Sequence, residues 1–365
     1  VILAYSFDKI LVIGIGKVGS LVATLLQNAG FQVVGADVRT RTDLNFEVKA
    51  LDVSNTSEFT SLAANFDAIV SCLPYNLCIK TAEIAQSLGI HYFDLTEDVR
   101  STTRVRQLAE TSRGIMAPQC GLAPGFIAIV GAHLAGKFER LRSVHLRVGA
   151  LPRYPSGLLA YAFNWSSEGV VNEYLNDCEV ISDGVRKMVS PMSDLEAIVI
   201  DGTQLEAFTT SGGLGTMCET YADKVGDLNY KTIRYPGHRD LMRFFFYELH
   251  MKEDRIKAGE ILVNAKPPVD EDVVYIHAAV EGWRRSIRGA EILCRDEFVR
   301  AYKPVTIGDI NWRAISWTTA SSVAAVVELA ASGKLAARGF IKQEEIALEE
   351  FLKTQSARYY AAYEG

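Results

Sequence analysis

The chain lacks the cysteine and histidine patterns of metal and dithiol proteins. Its six cysteines, at positions 72, 78, 120, 178, 218 and 294, include no C-x-x-C pair. They read as reduced thiols of a cytoplasmic protein. The six histidines stand apart from one another and from the cysteines, so no metal site is expected. Positive charge is also scarce: 38 Lys and Arg face 44 Asp and Glu, for a net charge of −6. That balance argues against a nucleic-acid partner held through phosphates. No apolar run exceeds about six residues, far short of the ~20 of a membrane span. No charged segment followed by an apolar block opens the sequence, so neither a secretion signal nor a membrane partner is expected. Repeats and low-complexity segments are absent. What is present is 365 residues, 48% apolar and 22% charged, enough for two domains with a substantial core.

The most informative stretch is Lys9–Gly19, KILVIGIGKVG. An apolar strand runs into Gly14-x-Gly16-x-x-Gly19, and Val18, Leu21, Val22, Leu25, Leu26 and Ala29 then follow at helical spacing. Gly30 ends the helix, and a second apolar strand, Phe31–Ala36, leads to Asp37-Val38. This is the dinucleotide-binding arrangement. Gly14 permits the tight turn, Gly16 admits a diphosphate, and Gly19 allows close packing of helix on strand. Lys17 and Val18 open the helix whose N-terminus receives the phosphate charge. The Asp37 carboxylate suits ribose hydroxyls and repels a 2′-phosphate, favouring NAD. Arg39 and Arg41 keep NADP possible. Asp52-Val53, after a strand near Val48–Leu51, suits the adenine pocket, and a loop cap is the competing reading for Asp52.

Further strands at Ala68–Leu73, Tyr92–Leu95 and Ile115–Ala117 alternate with helices at Lys80–Leu88 and Thr102–Ser112. Such alternation predicts an α/β fold with a doubly wound, parallel Rossmann sheet. Ligands bind beyond the carboxyl ends of its strands. Ser71-Cys72-Leu73-Pro74, Asp94-Leu95-Thr96-Glu97 and Gln119-Cys120-Gly121 should therefore share a crevice with the glycine turn. Cys72, Leu73 and Pro74 are expected on the cofactor. Beyond Arg142 the pattern becomes that of a mostly antiparallel sheet with a few helices. Strands are expected at Val144–Val148, Ala160–Asn164, Leu205–Thr210, Asn229–Arg234 and Val273–Glu281, a hairpin about Ser182-Asp183-Gly184, and a helix at Arg239–Leu249. Helices at Thr318–Ala331 and Gln343–Phe351 close the chain. The expected division is a dinucleotide-binding domain at 1–125 and 305–365, and an α+β substrate-binding and dimerisation domain at 126–304.

These residues resemble the saccharopine dehydrogenase-like family, in particular its lysine 6-dehydrogenase branch. The resemblance spans almost the whole chain. It rests on the Gly14–Gly19 turn, Cys72-Leu73-Pro74-Tyr75, Tyr92-Phe93-Asp94-Leu95 and the run from Pro118 to Gly125, PQCGLAPG. It continues through Gly149-Ala150-Leu151-Pro152, Trp165–Tyr174, Glu206–Gly212 and Thr232–His238. It implies an NAD(P)-dependent oxidoreductase acting at an amine carbon of a lysine-derived substrate, and a homodimer. The saccharopine-reductase branch carries an acidic residue where this chain has Ala123 and a cysteine where it has Val148, which disfavours saccharopine itself. Ala150 replaces a customary second glycine.

Oxidising an amine requires a base and groups for a substrate carboxylate and amine. Arg234 and His238 are the candidates for the carboxylate, with a capping turn as the alternative for His238. Thr210, beside Thr209, could contact substrate or simply end a strand. Glu168 could hold an amine or stabilise a helix first turn. The resemblance places Lys80 near a lysine proposed for acid–base work, although a solvated helix lysine is the plainer reading. Asp94 could orient loop amides or that lysine, and the two are the catalytic candidates. Cys120 reads as a packing thiol. Two further readings remain open: a reductase condensing an aldehyde with an amine, and a dinucleotide-binding sensor without turnover.

Overall fold

The computed structural model describes residues 6–362, which form two compact units. One extends to Phe126 and resumes at Ser316; the other is Ile127–Ile315. The segment 305–315 thus lies in the second unit, whereas the sequence pattern assigns it to the first.

The first unit opens with β1 (Lys9–Ile13), buried at every position after Lys9, as suits a central strand covered on both faces. Next is α1 (Lys17–Asn28), with Leu21, Val22, Leu25 and Leu26 turned inward. There follow β2 (Gln32–Asp37), β3 (Val48–Ala50), α2 (Thr56–Ala63), β4 (Ala68–Ser71), α3 (Tyr75–Leu88), β5 (His91–Asp94), α4 (Val99–Ala109) and β6 (Ile115–Ala117). Helix α2 had no place in the sequence reading. It starts at Asn55, whose side chain accepts from the Glu58 amide and donates to the Glu58 carboxylate, a reciprocal cap. Helix α3 begins directly after Pro74, earlier than its apolar spacing implies. Proline's fixed backbone and missing N–H suit a helix start, and Lys80 consequently lies inside the helix. Ile13, Ala36, Phe59, Ile69, Ala85, Tyr92, Val105 and Met116 belong to one core.

The second unit contains α5 (Phe126–Ala135), β7 (Arg140–Pro152), α6 (Ser167–Leu175), β8 (Cys178–Ser182), β9 (Val185–Val189), β10 (Glu196–Ile200) and β11 (Thr203–Thr209). It continues with α7 (Met217–Thr220), β12 (Asp227–Arg234), α8 (His238–Arg243), α9 (Arg255–Ala265), β13 (Asp272–Arg285), β14 (Glu291–Tyr302), β15 (Val305–Ile307) and β16 (Ile310–Trp312). Its large sheet has the order β10-β11-β12-β7-β13-β14, with β8 and β9 attached at β12. The β12–β7 pair is parallel, so the sheet is mixed. Residues 160–164 form no strand: Ala160 takes φ 46°, and Tyr161 and Phe163 fill the core from an irregular loop. The helix expected to Leu249 continues past α8 as one wide turn at Phe244–Glu248.

Helix α10 (Ala314–Ala331) carries the chain back to the first unit. By length and mean hydropathy, 1.3, it could span a membrane, yet 89% of it is buried. Serine and threonine interrupt its apolar residues, so no long run appears in the sequence. Strand β17 (Gly339–Phe340) then pairs with β6, and α11 (Leu348–Leu352) and α12 (Arg358–Ala361) follow. The expected Gln343–Phe351 helix is broken at Ile346 and Ala347, whose backbones are extended. The first sheet has seven parallel strands in the order β17-β6-β5-β4-β1-β2-β3. Strand order reverses between β1 and β4, and that switch point opens a crevice at the carboxyl ends.

Candidate active site

At the switch point the three glycines have distinct duties. Gly14 takes φ 88°, and a Cβ there would stand 2.9 Å from the Cys72 carbonyl oxygen. A Cβ on Gly19 would stand 2.0 Å from the Gly14 oxygen, so helix and turn touch only because it is glycine. A Cβ on Gly16 would meet no protein atom within 4 Å. Gly16 is also the N-cap of α1 and offers no side-chain acceptor to the helix. Open space before a bare helix N-terminus at Lys17 and Val18 fits a diphosphate. Asp37 closes the other side. One carboxylate oxygen accepts from the Ile15 amide at 2.7 Å and the other from the Arg39 amide at 3.2 Å, which fixes the group beside the turn. Val38 is exposed. Arg41 is engaged twice by Asp43, at 2.6 and 3.0 Å, while Arg39 is exposed.

Asp52 accepts from the Ser54 amide at 2.8 Å, and Val53 beside it is buried. Asp52 therefore caps its own turn. Lys80 donates to the Ser54 carbonyl at 2.7 Å, so its amine serves the loop after β3 and is not brought to Asp94. On the β4 side, the Cys72 amide donates to Ile13 at 2.8 Å, Leu73 borders Gly14, and Pro74 starts α3. Burial pushes the Cys72 thiol up to about 12, so it stays protonated.

Asp94, at the end of β5, is completely buried. It accepts from the amides of Thr96 and Gln119, at 2.9 and 3.0 Å, and from the Tyr92 hydroxyl at 2.8 Å. Burial pushes its carboxyl up to about 6, against the pull of those donors. It ties together the loops after β5 and β6, as expected for an orienting role, and exposes no surface for direct catalysis. Cys120 donates to the Ala117 carbonyl and accepts from Gln343, a packed and inert thiol. Glu97 lies half-buried in the same loop as Thr96, and burial pushes it up to about 7.

The second unit holds a chain of buried polar groups. Arg234 donates from Nε to the Tyr174 hydroxyl at 2.7 Å and from Nη1 to Thr232 and the Ile233 carbonyl. His238 lies 3.0 Å by Nδ1 from the Leu159 carbonyl and 2.9 Å by Nε2 from the Tyr174 hydroxyl. A carbonyl only accepts, so Nδ1 carries the proton and Nε2 accepts from Tyr174. Burial, aided by Arg234, pushes His238 down to about 3, so it is neutral. Arg234 and His238 thus meet through Tyr174. The turn expected to bind an anion is already served by the chain itself: Glu206 accepts from the amides of Gly237 and Arg239, at 2.8 and 2.7 Å. The Thr210 hydroxyl is buried without a hydrogen-bond partner. Glu168 is exposed in the first turn of α6, which Ser166 caps.

Two family models match, the saccharopine dehydrogenase NADP binding domain over residues 10–117 and the saccharopine dehydrogenase C-terminal domain over residues 121–357. The chain belongs to the saccharopine dehydrogenase family. Its amino-terminal portion is accordingly an NAD(P)-binding domain. Among solved structures, an apo saccharopine dehydrogenase (L-Glu forming) from Saccharomyces cerevisiae is 15% identical, covers 98% of each chain and gives a TM-score of 0.74, which shows the shared fold. A meso-dapdh mutant with DAP from Clostridium tetani is 11% identical over 94% of this chain and 95% of that one. Its TM-score of 0.45 is too low to bear on fold or function. The sequence reading places Glu97 in the crevice loop without a role, and assigns no role to Tyr174 or Glu206. Glu97 had a local signal, standing three residues past the end of a buried strand. Tyr174 and Glu206 gave none, because their partners lie far away in the chain.

Proposed function

We propose that this protein is an NAD(P)-dependent dehydrogenase acting at the amine carbon of a lysine-derived amino acid, of the lysine 6-dehydrogenase kind. The observation that carries the reading is the open, glycine-lined helix N-terminus with Asp37 fixed beside it, in a chain whose two family domains cover most of its length. Gly14, Gly16, Lys17, Val18 and Gly19 hold the diphosphate, and Asp37 takes the ribose hydroxyls. Asp52 and Val53 stand at the adenine side, and Cys72, Leu73 and Pro74 at the nicotinamide side. NAD is preferred, since Asp37 repels a 2′-phosphate and Arg41 is committed to Asp43. When bound, the nicotinamide supplies the hydride acceptor. Arg234 and Thr210 serve the substrate's polar groups, with Tyr174 and His238 holding Arg234 in place. The molecule works as a homodimer.

The test is a panel assay. Protein loaded with NAD is given L-lysine, saccharopine and simple diamines, and reduced coenzyme is followed by absorbance. Turnover with a lysine-like amine is expected. Firm NAD uptake with no turnover of any amine would refute the reading, and activity only in reverse, from aldehyde plus amine, would replace it with a condensing reductase. Sedimentation should give twice the 40.2 kDa chain mass.

A further inference from the structure

Asp94, Glu97 and Asp98 follow one another at the carboxyl end of β5, and their surroundings differ. Both oxygens of Asp94 are occupied by Tyr92, Thr96 and Gln119. Asp98 caps α4, accepting from the amide and hydroxyl of Ser101 at 2.7 and 2.8 Å. Glu97 stands between them. Among the described residues no other residue donates to its carboxylate. A carboxylate partly withdrawn from water, with no other residue donating to it, favours its neutral form. Burial accordingly pushes Glu97 up to about 7, and the charges of Asp98 and Asp94 add to the rise. From α3, Cys78 also faces this group, its thiol held protonated by burial. Among the described residues no cation offsets these effects. The site of Glu97 matters as much as its state. Strand β5 pairs with β4, and the loop after β4 borders the switch point, so Glu97 shares the carboxyl edge with the glycine turn.

We propose that Glu97 is the general base of the active site, taking a proton from the ammonium group of the substrate. The proposal rests on the amine-oxidising reading above. In this step one N–H bond breaks, its electron pair stays on nitrogen, and the proton forms the O–H bond of a neutral carboxylic acid. Ammonium and carboxylate become amine and acid, so charge and atoms balance. A group that titrates near the working pH passes a proton in either direction with little penalty. Asp94 is then a positioning residue, since it fixes the Thr96 amide next to Glu97.

The experiment compares the full-length wild type with Glu97→Gln and Glu97→Asp. In coenzyme-free protein, carbon NMR of labelled glutamate carboxyls should show one resonance, missing in Glu97→Gln, that titrates near about 7. With NAD and L-lysine, Glu97→Gln should lose about 10²-fold or more in kcat and the acidic limb of its pH profile. NAD affinity by calorimetry should be unchanged, which also reports that the variant is folded. Glu97→Asp should keep part of the activity with the limb displaced. Superimposable pH profiles for wild type and Glu97→Gln, or a Glu97 resonance that titrates like an exposed glutamate, would overturn the assignment. Wild type that binds NAD but oxidises no amine overturns the functional reading and the substrate named here. An active wild type with an equally active Glu97→Gln overturns Glu97 alone.

Discussion

Gly16→Ala separates the coenzyme site from the stability of the fold. The new Cβ meets no protein atom within 4 Å, and the backbone at φ −82° is open to any residue. The only cost to the folded chain is a poorer N-cap, about 0.5–1 kcal/mol, or a few degrees in Tm. The coenzyme meets a different situation, because the methyl group stands where a diphosphate must approach the first amides of α1. Losing one charge-assisted hydrogen bond there costs about 1.5–3 kcal/mol, which raises Kd by about 10- to 10²-fold. Titration calorimetry with NAD measures the affinity and thermal unfolding measures the fold. Gly19→Ala is the contrasting variant: its Cβ would lie 2.0 Å from the Gly14 oxygen, so it should lower Tm directly by forcing helix from turn. Undiminished NAD binding by a folded Gly16→Ala protein would show that the open space is not the diphosphate site.

Asp37→Ala should weaken NAD more than NADP, because it removes both the ribose acceptor and the repulsion of a 2′-phosphate; equal losses by calorimetry would remove Asp37 from that role. Tyr174→Phe should destabilise the protein by about 1–3 kcal/mol in denaturant titration, leaving Arg234 Nε and His238 Nε2 without their shared partner. Glu196 accepts from the nearly buried Arg147 and Lys231. Against the cost of burial these partners bring Glu196 down to about 2. A lowered carboxyl stabilises the fold above its ordinary range, and that contribution is lost as pH falls from about 4.5 through about 2. Glu196→Gln should therefore be less stable at pH 7, by about 1–3 kcal/mol, since Arg147 loses its carboxylate partner while Lys231 keeps Asp194, and the gap to wild type should close toward pH 2. A constant gap in urea titrations across that range would contradict the assignment.

Much of the first unit was legible because its signals are local. A run of buried residues, a glycine turn, helical spacing and a carboxylate at a strand end are all contained between Lys9 and Asp37. Strand β14 was not legible: Glu291–Tyr302 groups its apolar residues (Ile292-Leu293-Cys294) and its charged ones (Arg295-Asp296-Glu297) in blocks, and only Tyr302 is fully buried, so no alternating buried stripe shows. The segment 160–164 misled for the opposite reason, since Tyr161 and Phe163 alternate like a strand but reach the core from a loop. Residue type also could not show where long side chains point. Lys80 turns to Ser54 through a turn 26 positions earlier, and the anion that the Arg234–His238 stretch invites is Glu206 of the neighbouring strand. Such pairings depend on strand order and register, which emerge only once the sheet is assembled.

The nucleotide-binding sheet draws its outermost strand from near the end of the chain. Ser6 bonds to Ala331 at 2.8 Å, and Phe340 sits against Met116. During synthesis the first six strands leave the ribosome long before the partner of β6 exists, so that edge must wait, unpaired, while about 200 further residues are made. Completion of this half therefore follows synthesis of the whole second unit. A nascent chain halted after Ile307 would display a bare, apolar margin at Ile115–Ala117, which is where a chaperone would find its purchase.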